Sequence, residues 1–268
     1  MPEGHTMHRL ARLHQRRFAG AAVQVSSPQG RFAAGAELVD GRRLVKADAH
    51  GKHLFHRYGP DAVVHVHLGL YGKFEVHKLP VTEPRGAVRM RLVGATHWTD
   101  LRGATVCEVL TDADVDVLVA RLGPDPLRRD ADPERAWARV AKSRVAVGAL
   151  LMDQSVLAGV GNVYRAEVLF RHGIGPHRRG QDLDRAEWDV LWLDLVELMA
   201  VGVRRGCIVT VRAEHDHGDQ PAGRQRSAGP RSYVYRRGGL PCRVCATPVR
   251  TETMASRNLF WCSTCQPD

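Results

Sequence analysis

Four cysteines restrict what this chain can fold into more than any other feature. Cys242 and Cys245 are separated by two residues, as are Cys262 and Cys265, and sixteen residues lie between the two pairs. Each C-x-x-C bends so that two thiolates face one ion, and two such pairs complete a tetrahedron. The intervening ATPVRTETMASRNLFW has the length of a β-hairpin, so the spacing predicts a zinc ribbon. Four thiolates leave no open coordination position, which makes a single Zn2+ there structural. Two disulfides or free thiols are the weaker alternative in a chain without an export signal. The hairpin's turn is expected at Ser256, Arg257 and Asn258. An arginine on such a turn is either solvated or enters a DNA groove, and the sequence alone leaves both open.

Charge points to a polyanion. Thirty-nine basic against twenty-nine acidic side chains give +10 and a pI near 9.8, a balance that favours nucleic acid as partner. The bland alternative is an arginine-biased composition, since only five of the thirty-nine are lysines. The first twenty residues are cut through with His, Arg and Gln, unlike a signal peptide. No apolar run approaches the roughly 20 residues a bilayer crossing needs. A cytoplasmic protein without membrane contact is expected. Cys107 and Cys207 are solitary and read as buried small hydrophobes.

The periodicity changes along the chain. PEGHTMHRLARLHQRRFAG carries Met7, Leu10, Ala11 and Phe18 at helical spacing, with Gly20 as the stop. From about 21 to 110, stretches such as DAVVHVHLGL alternate with period two, Val64, Val66 and Leu68 opposite His65 and His67. Short strands separated by turns suggest an antiparallel sandwich or barrel. RLGPDPLRRDADPERA then marks a boundary near 123–133, after which PERAWARVAKS, VAVGALLMDQSVLAG, NVYRAEVLFRHG and LDRAEWDVLWLDLVELMAVGVRRG read as helices. Residues 213–232 lack apolar periodicity and are expected to form a basic mobile loop. The resulting class is α+β and multidomain: a β-sandwich over 1–122, a helical domain over 123–225 and the ribbon over 226–268.

Two further stretches carry chemistry. An apolar helix is expected to end at Gly159, Val160 and Gly161, with Asn162 capping a second helix that reaches Phe170 and stops at Gly173. Amides at such a capped terminus suit a phosphate, although an isolated GxGN is more often a helical hairpin built for packing. The chain opens MPEGHTMHRL. If Met1 is removed, Pro2 becomes a secondary amine able to attack a carbonyl-like carbon beside Glu3; otherwise Pro2 merely starts a helix.

MPEG, HGKHLF, HLGLYG, GVGNVYRAE and the four-cysteine ribbon, in that order, resemble the formamidopyrimidine-DNA glycosylase/endonuclease VIII family of base-excision repair enzymes. The resemblance spans essentially the whole chain and implies a sandwich, a helix-two-turn-helix domain and a ribbon acting on damaged double-stranded DNA as a monomer, nucleoid-associated when bound. It implies a bifunctional glycosylase/AP lyase in which processed Pro2 is the nucleophile at C1′ and Glu3 assists ring opening and proton transfer. Lys52 would contact the phosphate beside the lesion, Asn162 would grip phosphate, and Arg257 would clamp the backbone. Glu167 would support the site. Leu70 and Tyr71 would fill the gap left by the extruded base, and Arg102 would contact the opposite strand. Read bottom-up, Lys52 is a solvated lysine, Leu70 and Tyr71 are packed strand-end hydrophobes, and Glu167 is an ordinary helix carboxylate. The chain departs from the family pattern at Thr6, where many relatives carry glutamate, and DLRGATV lacks the phenylalanine of the formamidopyrimidine branch. Thr6 removes whatever support that carboxylate gives, and the missing phenylalanine, together with MPEG and Tyr71, leans toward endonuclease VIII and oxidised pyrimidines. A non-catalytic zinc-ribbon protein that binds damaged DNA is the rival.

Overall fold

The computed structural model describes residues 2–216 and 232–267. Met1, most of the loop expected over 213–232 and the expected boundary at 225/226 lie outside the described residues; of that loop, Ala213–His215 form one 3-10 turn. The chain divides into two compact units, Met1–Arg121 and Leu122–Asp268.

The first unit opens with α1 (Gly4–Phe18), whose buried Gly4, Met7, His8, Ala11, His14 and Phe18 recur every three or four residues along one face. Gly20, at φ 92°, turns the chain out of the helix. There follow β1 (Gln24–Ser26), α2 (Ala33–Val39), β2 (Lys46–His50), β3 (His53–Gly59), β4 (Ala62–His67), β5 (Lys73–Lys78), β6 (Val88–Val93), β7 (His97–Arg102), β8 (Val106–Leu110) and α3 (Asp112–Ala120). The strands form two antiparallel four-stranded sheets, ordered β1-β6-β7-β5 and β2-β3-β4-β8. This is the expected sandwich. In β4, Val64 and Val66 join the main core with Met7 and Phe18. Val63 faces the other way, against Phe55 and Val115 of α3, and His65 on that face is 3% exposed. The alternation of DAVVHVHLGL thus separates two buried faces. Helix α1 lies against β2 and β3. Gln15 Oε1 accepts from the Ala47 amide at 2.8 Å, and His14 Nδ1 meets His56 Nε2 at 2.9 Å between the rings of Phe18 and Phe74.

The second unit contains α4 (Pro133–Val140), α5 (Val147–Leu150), α6 (Asn162–Arg171), α7 (Arg185–Arg205), β9 (Arg250–Met254) and β10 (Arg257–Trp261). Helix α7 begins on a capping box, Asp184 and Glu187 exchanging bonds with each other's backbone amides, and ends at Gly206 in the left-handed region. The helix expected across VAVGALLMDQSVLAG stops at Leu150. Local side chains explain the break: Asp153 accepts from the Ser155 amide, and Gln154 bonds the Gly159 amide and the Val160 carbonyl. Turn-forming side chains here take backbone groups that a helix would have used. Val156, Leu157 and Val160 are buried all the same. Gly161, not Asn162, is the N-cap of α6, so Asn162 is the first helical residue. Its far end runs one residue past Phe170, and Gly173 at φ 66° stops it while its amide bonds the Phe170 carbonyl. Cys107 is buried as expected, whereas Cys207 is only half-buried. No helix among the described residues is long and apolar enough to cross a membrane.

Candidate active site and nucleic-acid interface

In the first unit, Pro2 precedes the N-cap Glu3 and so stands outside α1. The helix-starting role is therefore not the one it occupies. Glu3 is fully buried and Pro2, its neighbour in the chain, half-buried. Thr6, the departure from the family pattern, places Oγ1 3.3 Å from Nε2 of buried His5, whose pKa burial above all pushes down to about 4. Lys52 sits half-buried in the tight turn joining β2 to β3, the pair of strands on which α1 lies. A histidine cluster flanks it: His53 Nδ1 meets His65 Nε2 at 2.8 Å, and His65 Nδ1 meets Glu108 at 2.9 Å. Burial, then His65, His67, His50 and Lys52, push His53 down to about 3, so these rings stay neutral beside the lysine.

Leu70 and Tyr71 ride on the turn between β4 and β5, 41% and 86% exposed. They are not packed into the sandwich. The turn depends on glycine: Gly69 has φ 65°, and a Cβ at Gly72 would come within 2.3 Å of the Leu68 carbonyl oxygen. Arg102 ends β7, where its guanidinium is already engaged. Nη1 donates to Glu75 at 2.7 Å, Nη2 to Asp100 at 2.8 Å and Nε to the Arg85 carbonyl at 3.1 Å. Asp100 is itself gripped bidentately by Arg91. The structure places Arg102 within this ion-pair network.

In the second unit, α6 is buried from Asn162 to Phe170. Asn162 Nδ2 donates to the Asn258 carbonyl of β10 at 2.9 Å, and Asn162 Oδ1 accepts from Arg165 Nη2. Glu167 is fully buried and far from an ordinary helix carboxylate. Its oxygens accept from the amides of Tyr233 (2.7 Å), Val234 (2.9 Å) and Tyr235 (2.8 Å) and from the Thr210 hydroxyl. Burial pushes its pKa up, opposed by those four donors.

The ribbon hairpin pairs Arg257 with Met254, so its turn is Ala255 and Ser256, one position earlier than expected. Both turn residues have positive φ, 51° and 57°, without being glycine. Arg257 is exposed and donates to the Ser256 carbonyl. It lines an open hollow of about 280 Å3 with Ala149, Met152, Asp153, Ala255 and Ser256. The sulfurs of Cys242, Cys245, Cys262 and Cys265 all lie within 4.8 Å of one another, with Cys242 to Cys265 at 3.9 Å and Cys245 to Cys262 at 3.4 Å. A tetrahedron with Zn–S bonds of about 2.3 Å has edges of about 3.8 Å. The cluster fits one zinc ion, and the four thiols are free, not paired in disulfides. Arg165, fully buried, is the functional candidate that sequence reading passed over. Its only signal was a charge on an otherwise apolar turn of α6.

Sandwich, helix-two-turn-helix unit and four-cysteine ribbon together define a DNA-repair glycosylase. Residues 1–107 match the formamidopyrimidine-DNA glycosylase N-terminal domain, 122–213 its H2TH domain, and 239–267 the zinc finger found in FPG and IleRS. The chain belongs to the formamidopyrimidine-DNA glycosylase/endonuclease VIII family, whose members are bifunctional DNA glycosylases and AP lyases of base-excision repair. It is 61% identical to Endonuclease 8 1 of Mycobacterium tuberculosis (strain H37Rv), covering 99% of this chain and 100% of that protein. The formamidopyrimidine-DNA glycosylase of Thermus thermophilus is 32% identical over 85% of this chain and 84% of its own length. Lactococcus lactis formamidopyrimidine-DNA glycosylase, crystallised non-covalently bound to DNA containing an AP site, shares the fold at TM-score 0.80 and 20% identity, covering 99% of this chain and all of that one.

Proposed function

We propose that this chain excises oxidised bases, pyrimidines preferentially, from double-stranded DNA and cleaves the abasic strand through an N-terminal proline Schiff base. The observation that carries the reading is Pro2 itself, held ahead of the N-cap Glu3, which is buried. After removal of Met1, the Pro2 nitrogen attacks C1′ and the bond from C1′ to the base breaks, the base leaving with a proton. The sugar opens as O4′ is protonated, a step suited to Glu3, and the iminium acidifies C2′. Loss of a C2′ proton expels the 3′-phosphate, a second elimination expels the 5′-phosphate, and water releases the enzyme.

Lys52, Asn162 and Arg257 supply cationic or N–H donors for the phosphates, and Leu70 and Tyr71 fill the stack after the base is extruded. Glu167 supports the second unit from within. Zinc is structural and takes no part in the chemistry. A three-part division at 1–122, 123–225 and 226–268, a monomer, and a cytoplasmic enzyme that meets the nucleoid through DNA complete the reading. Borohydride trapping on abasic duplex, with intact-mass confirmation that Met1 is gone, tests it. Wild type should form the covalent adduct and Pro2→Gly far less of it; no adduct from processed wild type would overturn the lyase. Excision from a thymine glycol duplex faster than from an 8-oxoguanine duplex is expected.

A further inference from the structure

Asn162 carries an amide with two chemically opposite ends. Oδ1 only accepts and Nδ2 only donates, yet the ends have nearly the same shape. A phosphate offers acceptors, so only Nδ2 can serve it. Arg165, one turn further along α6 and fully buried, fixes which end faces which way. Its Nη2 donates to Asn162 Oδ1 and, at 3.4 Å, to the Asn258 carbonyl. A guanidinium has donors alone, so a flipped Asn162 would set its own hydrogens against those of Arg165. Held as it is, Asn162 Nδ2 gives one hydrogen to the Asn258 carbonyl and carries a second.

The same guanidinium also reaches the ribbon and α5. Nη1 donates to the Met254 carbonyl and the Gly148 carbonyl, 3.3 Å each. Met254 and Asn258 flank the strand ends on either side of the turn from which Arg257 springs. One planar fork therefore ties the first turn of α6, the short helix α5 and both strands of the hairpin.

We propose that Arg165 is a positioning residue for phosphate binding, orienting the donor end of Asn162 and fixing the root of the Arg257 turn. This rests on the reading of Asn162 and Arg257 as phosphate-binding groups. The test is a double-mutant cycle read as equilibrium affinity for a duplex carrying a tetrahydrofuran abasic analogue. Arg165→Gln, with zinc retained at one per chain, should weaken binding about tenfold, and should cost less than about threefold in an Asn162→Ala background. Arg165→Lys, which keeps the charge and loses the fork, should fall between wild type and Arg165→Gln. It carries the cycle if Arg165→Gln loses its zinc. Penalties that simply multiply, or wild-type affinity of Arg165→Lys, would overturn the role of Arg165 alone. Asn162→Ala binding as tightly as wild type would instead bring down the phosphate reading beneath it.

Discussion

Glu167 shows what one buried carboxylate can organise. Four donors converge on it from two stretches of chain, three of them consecutive backbone amides. Replacing it with glutamine would turn an N–H2 toward backbone amides that can only donate. Glu167→Gln should therefore lower unfolding free energy by about 2–4 kcal/mol, measured by urea titration. Tyr71 presents the opposite case. At 86% exposed it contributes little to the fold, and Tyr71→Ala should change unfolding by less than about 0.5 kcal/mol. If it fills the stack, single-turnover excision from duplex should nevertheless fall about tenfold; an unchanged rate would return Tyr71 to the ranks of idle surface residues. The spacing of MPEG, GVGN and the cysteines exposed much of the site before any coordinates. The engagement of Arg102 was hidden, because Glu75 becomes its neighbour only through the pairing of β5 with β7, although Asp100 lies two residues back on the same strand.

Between elements, the union of α1 with β3 rests partly on a neutral histidine pair. Burial holds His14 well below 6.5 and His56 down to about 4. The unfolded chain therefore binds more protons than the folded one below pH 6.5, and stability is lost as pH falls from 6.5 toward 4. For His56 the loss is on the order of 3 kcal/mol. Urea midpoints at pH 7.5 and 5.0 should diverge, and a His14→Leu, His56→Leu double variant should narrow the gap. An undiminished gap would assign the acid sensitivity to His5, His53, His65 and His67. At the ribbon, Ala255 and Ser256 occupy left-handed backbone that suits Asn-Gly. The A255N/S256G variant should gain about 1 kcal/mol in thermal unfolding. Element types were mostly legible from periodicity. The end of α5 was not, because Asp153 and Gln154 look compatible with a helix until their side chains are seen bonding the backbone.

As a whole, the molecule has separate hydrophobic cores in its two units. Among the described residues, only the second contains the cysteine cluster. Stripping zinc with a thiol-modifying mercurial and chelator should release one ion per chain and lower the transition of the second unit alone in calorimetry. DNA affinity should fall with it. A matching loss in the first unit would mean the cores are not independent. Glu167 has a last consequence at this scale. By accepting from Thr210 and from residues 233–235, it brings together two points separated by twenty-two residues of chain. Once such ends are joined, doubling the length of what runs between them costs only about 0.6 kcal/mol of closure entropy. One carboxylate on α6 thus acts as the clasp of this span, doing with hydrogen bonds what a cross-link does covalently.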